Sequence, residues 1–246
     1  MVVDVGCHKG GFLIWLRRYV GAAGRVYAFE PQPALAAYLD AIVRAQRWRN
    51  VVLERAALSS VAGSMMLYVP AAPGHSSPGA TLAPASVAGA HHHVPVAVTT
   101  LDARVPPGER VSCIKCDCEG HEFEVFQGAE RILRQDRPVL LFECEGRHLS
   151  GYARTTADGR GRTPADVFAY LQAREYVGFF CEEDYATQQA LRFWDEPRFD
   201  LANDGECAFA ADEEIDGVHV WLYKVTRCVF AGCWRTVVSN TNIWNL

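Results

Sequence analysis

"MVVDVGCHKGGF" occupies residues 1–12. Its first part, Val2 to Gly6, is a short apolar run stopped by glycine, which suits a buried parallel strand. From Gly11 onward, apolar residues recur at Phe12, Trp15, Leu16 and Tyr19, which is helical spacing. A strand that turns through Gly6, Gly10 and Gly11 into a helix is the opening half of a βαβ unit. Asp4 is the odd residue in this frame. An acid at the seam between a buried strand and a glycine turn points to a polar ligand there.

The pattern repeats outward from this start. "RVYAFEP" (25–31) reads as a second strand, and Leu35, Leu39, Ile42 and Val43 mark a second amphipathic helix. "VVLERAAL" (51–58) reads as a third strand. This alternation predicts an α/β, Rossmann-like fold, a mostly parallel sheet with helices on both faces. "GSMMLYVP" reads as a short extra strand, and residues 71–93, rich in Ala, Pro, Gly, Ser and His, as a long loop. Further strands are expected at 94–103, 113–120 and 138–146, with one helix over about 121–135. Thr163 and Pro164 supply an N-cap and a first helical position for another helix. "VGFFCEED" and "ECAFAAD" read as closing strands. The main domain is expected over 1–211. Residues 212–246 read as a C-terminal extension, with an extra hairpin, a homodimer contact and a membrane-surface patch as its readings. The chain opens abruptly on its first strand, which raises the expectation of a trimmed start.

With 246 residues, half of them hydrophobic, the chain can bury a substantial core. A net charge of −5 with acids and bases interspersed argues against an extended nucleic-acid surface. The nine cysteines are scattered and set no disulfide framework, so unpaired thiols in a reducing, cytoplasmic compartment are expected. No apolar run reaches spanning length.

Four predicted strand ends carry acids: Asp4, Glu30, Asp117 with Glu119, and Glu143 with Glu145. In a doubly wound sheet these ends border the ligand crevice. Glu30 closes the second strand about two dozen residues after the glycine turn, where an acid accepts the two hydroxyl hydrogens of a ribose. The turn reads D-x-G-x-x-x-G-G, not the G-x-G-x-x-G of a dinucleotide site. A carboxylate before the first glycine repels a pyrophosphate and suits an ammonium. S-adenosylmethionine offers that ammonium together with a ribose diol, so spacing favours it as the ligand.

"VVDVGCHKGGF", "GRVYAFEPQP", "VVLERAALSS", "VTTLDA", "IKCDCEGHEFEVFQGAERIL" and "RPVLLFECEG" occur in that order. Together they resemble the FkbM family of S-adenosylmethionine-dependent methyltransferases, over residues 2 to about 146 and more weakly on to about 210. The resemblance implies a class I methyltransferase fold and O-methylation of a small molecule, sugar or natural product. It carries the cofactor site over to Asp4, Gly6, Cys7, Gly10, Phe12, Glu30 and Pro31. Ala56 and Ala57 are then expected near the adenine and Asp117 near the donor methyl. Cys7-His8 stands where the family often has Ala-Asn, and Cys116 and Cys118 replace its usual aliphatic residues.

An alcohol acceptor must shed a proton, so a base is sought. Asp117, Glu143 and His121 are the catalytic candidates, and Glu119, Ser76 and Ser77 the acceptor-binding ones. On a strand Lys115, Asp117 and Glu119 share a face, where Lys115 would hold an acid ionised. Glu119 and Glu145 with Asp117 form an oxygen-rich set, but the reading is metal-free. "AHHHV" (90–94) lacks zinc spacing and reads as a solvated loop. Two rival functions stay open. One is an NAD-dependent oxidoreductase; the other is a catalytically silent nucleoside-binding or scaffold module, for which the altered Cys7-His8-Lys9 turn speaks.

Overall fold

A computed structural model describes residues 1–71, 79–83, 90–144, 164–184, 189–194 and 219–224. The central sheet is built first from β1 (Val2–Val5), β2 (Val26–Phe29) and β3 (Val51–Glu54), with α1 (Gly11–Val20) and α2 (Pro33–Ala45) between them. Every residue of β1 and β2 is buried, as expected of strands covered on both faces. After β4 (Ala57–Leu58), β5 (Gly63–Pro70) and β6 (His91–Thr99) come the short α3 (Leu101–Arg104) and then β7 (Cys113–Cys116). Two helices follow, α4 (Glu122–Gln127) and α5 (Glu130–Gln135), then β8 (Val139–Glu143), α6 (Pro164–Gln172), β9 (Tyr176–Asp184), β10 (Gln189–Trp194) and β11 (His219–Lys224).

The main sheet has eight strands in the order β10-β9-β11-β8-β7-β1-β2-β3. From β8 to β3 all neighbours are parallel. β11 runs antiparallel to both β8 and β9. The chain moves outward from β1 through β2 to β3, then returns to β7 on the other side of β1. That reversal opens a crevice above the carboxyl ends of β1 and β7. Helices cover both faces. Leu13 of α1 and Leu39 of α2 pack with Val2, Val26 and Ala28. On the opposite face Phe126, Ile132, Leu133 and Phe168 pack with Val3, Val5, Phe29 and Phe142.

Several expectations change. The segment 51–58 is two strands, because β4 leaves the main sheet and pairs with β6 in a second, three-stranded sheet of order β4-β6-β5. The 71–93 loop ends early, because β6 begins at His91 and pairs antiparallel with β5. His91 and His93 therefore lie one above the other on a strand, their rings stacked 5.1 Å apart. The helix over 121–135 is two helices that meet at Gly128, where an added Cβ would lie 2.0 Å from the Ser59 carbonyl oxygen. Finally, β7 stops at Cys116, and Glu119 and Gly120 take positive φ of 56° and 95°. Lys115 and Asp117 stay neighbours there, but Glu119 leaves their strand face. β11 comes from beyond residue 211, where the sequence reading ended the main domain, and it lies within the main sheet between β8 and β9. Thr163 and the "ECAFAAD" stretch lie outside the described residues. Among the described residues no helix is long and apolar enough to cross a membrane.

Candidate active site

Gly6 begins the turn after β1 with φ +68°, and a Cβ there would lie 1.9 Å from the Asp117 carbonyl oxygen. Gly10, at φ +83°, precedes α1, and its Cβ would meet Leu39 at 2.8 Å. The space these glycines leave is therefore taken by β7 and α2, and the turn is pulled tight against both. Gly6 and Cys7 donate their backbone N–H groups to the Phe29 carbonyl, at 3.0 and 3.2 Å.

That turn closes over Glu30, which is 3% exposed. Glu30 Oε2 accepts the His8 backbone N–H at 2.8 Å, and Oε1 accepts that of Gln32 at 2.8 Å. Burial pushes this carboxyl up to about 7, while those two N–H groups pull it the other way. Each oxygen keeps a lone pair for a further donor. Glu30 faces a cavity of about 220 Å³. Gly6, Pro31, Ala56 and Ala57 line its near side, and Asp117, Glu119 and His121 its far side. Leu67 of the second sheet and Leu82 packed against it supply an apolar wall.

Beneath the cavity lies a row of charges. Register places Asp4 of β1 opposite Lys115 of β7. Lys115 Nζ is 3.3 Å from Asp117 Oδ2 and 3.6 Å from Asp4 Oδ1. It donates to the Gly6 carbonyl at 3.0 Å and sits 5.3 Å from the Phe12 ring centre. Asp4 has no exposed surface, and neither of its oxygens makes a hydrogen bond among the described residues. Burial raises the Asp4 carboxyl, against the pull of Lys115. Burial alone would lower Lys115, but Asp4 and Asp117 outweigh it and hold the ammonium charged.

Residues 4–178 match the family described as the methyltransferase FkbM domain, well over half of the chain. The chain belongs to the FkbM methyltransferase family. S-adenosylmethionine, the donor expected from the sequence, fits the residues present: a buried carboxyl for a diol, and two carboxyls set against one ammonium for a cation. The FkbM methyltransferase of Methylobacillus flagellatus KT shares the fold at 15% identity and TM-score 0.52, covering 90% of this chain. This chain spans 43% of that protein's length. An S-adenosylmethionine-dependent O-methyltransferase of Thermotoga maritima is 11% identical, with TM-score 0.42 over 93% of this chain and 60% of its own. A methyltransferase of Streptococcus mutans, solved with S-adenosylhomocysteine, is 9% identical, with TM-score 0.44 over 91% and 88%. A search of curated proteins found no match.

In this FkbM domain the structure gathers eight of the expected residues on the cavity wall: Gly6, Glu30, Pro31, Ala56, Ala57, Asp117, Glu119 and His121. Asp4, Cys7, Gly10, Phe12 and Glu143 are not on that wall. Asp4 and Phe12 flank Lys115 beneath it, and Cys7 is buried in the core under α1. Oxygens of Asp117, Glu119 and Glu143 lie within 4.8 Å of one another, a spacing a hard cation can bridge. Ser76, Ser77 and Glu145 lie outside the described residues. His121 is 2% exposed, with Nε2 2.9 Å from Ser59 Oγ and Nδ1 3.8 Å from Glu124. Sequence reasoning missed Glu122, Leu67, Thr81 and Leu82. Glu122 closes the I-K-x-D-x-E-G-x-E pattern on which the family resemblance leans, but the sequence reading draws no role from it beyond that of an acid at a helix start. Thr81 and Leu82 sit in the stretch whose composition reads as loop, and Leu67 in the short extra strand before it, to which that reading assigns no site.

Proposed function

We propose that this FkbM protein methylates a hydroxyl of a small molecule, sugar or natural product. The observation that carries the reading is Asp117 facing, across one cavity, a buried Glu30 whose two oxygens are pinned by backbone amides. S-adenosylmethionine, when bound, supplies a methyl carbon activated by its sulfonium. Glu30 accepts the ribose hydroxyls, with Gly6 and Pro31 beside it and Ala56 and Ala57 against the adenine. Asp4 and Asp117 set two carboxyls against the one ammonium of Lys115, an arrangement that favours the cationic end of the donor over an anion. Asp4 and Phe12 act there through Lys115, and Cys7 and Gly10 by shaping the turn.

Proximity and alignment supply most of the rate. With the donor bound, its activated methyl carbon would lie in line with an acceptor oxygen, and the residues of the cavity wall would hold the two in that alignment. Asp117 orients the hydroxyl, and its proton passes to Asp117 or to Glu143 in the same acid cluster. Glu119 holds the acceptor beside them. We assign His121 to bracing the cavity wall, since its two ring nitrogens face Ser59 and Glu124. The reaction as proposed uses no metal, because Lys115 already supplies a positive charge 3.3 Å from Asp117. The described cavity lining carries Glu30, Asp117 and Glu119 and no lysine or arginine, which supports a neutral acceptor over a nucleic acid.

Calorimetry with S-adenosylmethionine, followed by tritiated methyl transfer to a panel of glycans and hydroxylated metabolites, tests the reading. Binding that Glu30→Ala weakens at least tenfold, and label in a panel compound that persists in EDTA, are the expected results. No binding by the wild type would leave the silent module. Binding of reduced nicotinamide in its place would turn the reading to a dehydrogenase.

A further inference from the structure

The turn Asp117–Gly120 carries two of the cavity's carboxylates but belongs to no helix or strand. Glu119 sits at φ +56°, a conformation that costs a non-glycine residue about 1 kcal/mol. Something outside the turn must hold it. Glu122, at the start of α4, is 1% exposed and reaches back to it. Its Oε1 accepts the backbone N–H of Cys118 at 2.9 Å and that of Gly120 at 3.3 Å, and the Cys118 thiol donates to it at 3.4 Å. From the opposite side, Thr81 Oγ1 donates to the Glu119 carbonyl at 2.8 Å while accepting the Ala83 N–H at 3.0 Å. Neither Glu122 nor Thr81 lines the cavity.

We infer that Glu122 is a positioning residue of the methyl-transfer site, acting through the turn that carries Asp117 and Glu119, with Thr81, bridged to Tyr68 of β5, as its counterpart. The inference rests on the methyl-transfer reading above. A catalytic group displaced by about 1 Å loses on the order of 100-fold in rate, so this buried acceptor governs turnover without touching substrate.

The test compares Glu122→Ala, which removes the acceptor, with Glu122→Gln, which keeps a carbonyl oxygen in its place. Thr81→Val and Thr81→Ser form the matching pair. Three measurements are made: S-adenosylhomocysteine affinity by calorimetry, initial rates with tritiated donor and the panel compound the wild type methylates fastest, and amide hydrogen exchange over 117–121. Glu122→Ala should lower kcat at least about tenfold, leave S-adenosylhomocysteine affinity within about threefold, and speed exchange at Cys118 and Gly120 about tenfold. Glu122→Gln should stay within about threefold of the wild type in kcat. Thr81→Val should lower kcat by a smaller factor that Thr81→Ser restores. Wild-type kcat and exchange in Glu122→Ala, or equal damage in Glu122→Gln and Glu122→Ala, overturns the inference. If Glu122→Ala does not fold, the threonine pair decides: wild-type rate and exchange in Thr81→Val overturn it. A wild type that binds no S-adenosylhomocysteine defeats the methyl-transfer reading instead, and local exchange in the variants then decides the clamp.

Discussion

Lys115 holds the most exacting position of any single side chain here. It is 5% exposed and meets two carboxylates and two backbone carbonyls at once. A buried ion pair is weak evidence of net stability, but breaking one from one side leaves the other charge stranded. Lys115→Met should therefore destabilise the protein by about 3 kcal/mol in urea unfolding. Adding Asp4→Asn to it should recover part of that loss, because the stranded buried carboxylate is gone. Strictly additive losses would show that Lys115 and Asp4 are not coupled. Asp117 differs in kind, since its side chain is 36% exposed and reaches the cavity. Asp117→Asn keeps its shape and loses its charge. Turnover should fall about 100-fold and S-adenosylhomocysteine affinity by a much smaller factor. Equal losses in both would make Asp117 a donor ligand only.

Among the elements, the break between α4 and α5 is the sharpest departure from periodicity. Phe126, Ala129, Ile132 and Leu133 share one apolar face, so the sequence reads as one helix. The helix ends because a second strand of chain crosses against it. Gly128 packs on the Ser59 carbonyl and donates to Glu124, and Asp102 of α3 caps the new helix by accepting the N–H groups of Arg131 at 2.7 Å and Ile132 at 3.1 Å. Gly128→Ala should cost about 2 kcal/mol or more, whereas Gly63→Ala, with no atom within 4 Å of its added Cβ, should stay within about 0.5 kcal/mol. Comparable unfolding midpoints for the two variants would refute the crossing as the cause. The same distinction explains what was legible. The strand–turn–helix at 1–20 follows from local pattern, and so do Glu30 and Asp117 at strand ends. Gly128 and β4's departure from the main sheet are set by contacts between distant segments, which no local period encodes. Glu122's reach to Cys118 and Gly120 is local, but it exists only because Glu119 and Gly120 turn through positive φ, which no apolar period signals.

At the scale of the whole molecule, the buried acids couple folding, pH and the donor. Glu30 and Glu122 are each pushed from 4.5 up to about 7 by burial, and Asp4 is raised by the same cause. A carboxyl raised in the folded state binds a proton there that the unfolded chain has already lost. Between about 4.5 and 7 the folded state thus holds more protons, and stability falls as pH rises through that window, then levels off. Glu130 works the opposite way, pulled down to about 2 by Arg174, Tyr170 and Arg134 against its own partial burial, so its loss of stability begins only below 4.5. Urea midpoints of the ligand-free protein should accordingly decline from pH 5.5 to pH 8. On the proposed donor site, ligand binding should reverse that trend. An ionised Glu30 accepts both ribose hydroxyl hydrogens, and a protonated one must keep a hydrogen of its own between them, so affinity for S-adenosylhomocysteine rises as Glu30 loses its proton. Saturating S-adenosylhomocysteine should raise Tm more at pH 8 than at pH 5.5, because stabilisation follows the ratio of ligand concentration to Kd. In Glu30→Gln the ligand-induced shift should be small and nearly flat with pH. A wild-type shift that is flat across the window, or a sloping one that survives in Glu30→Gln, would remove Glu30 from the donor site and leave its buried charge as a feature of the fold alone.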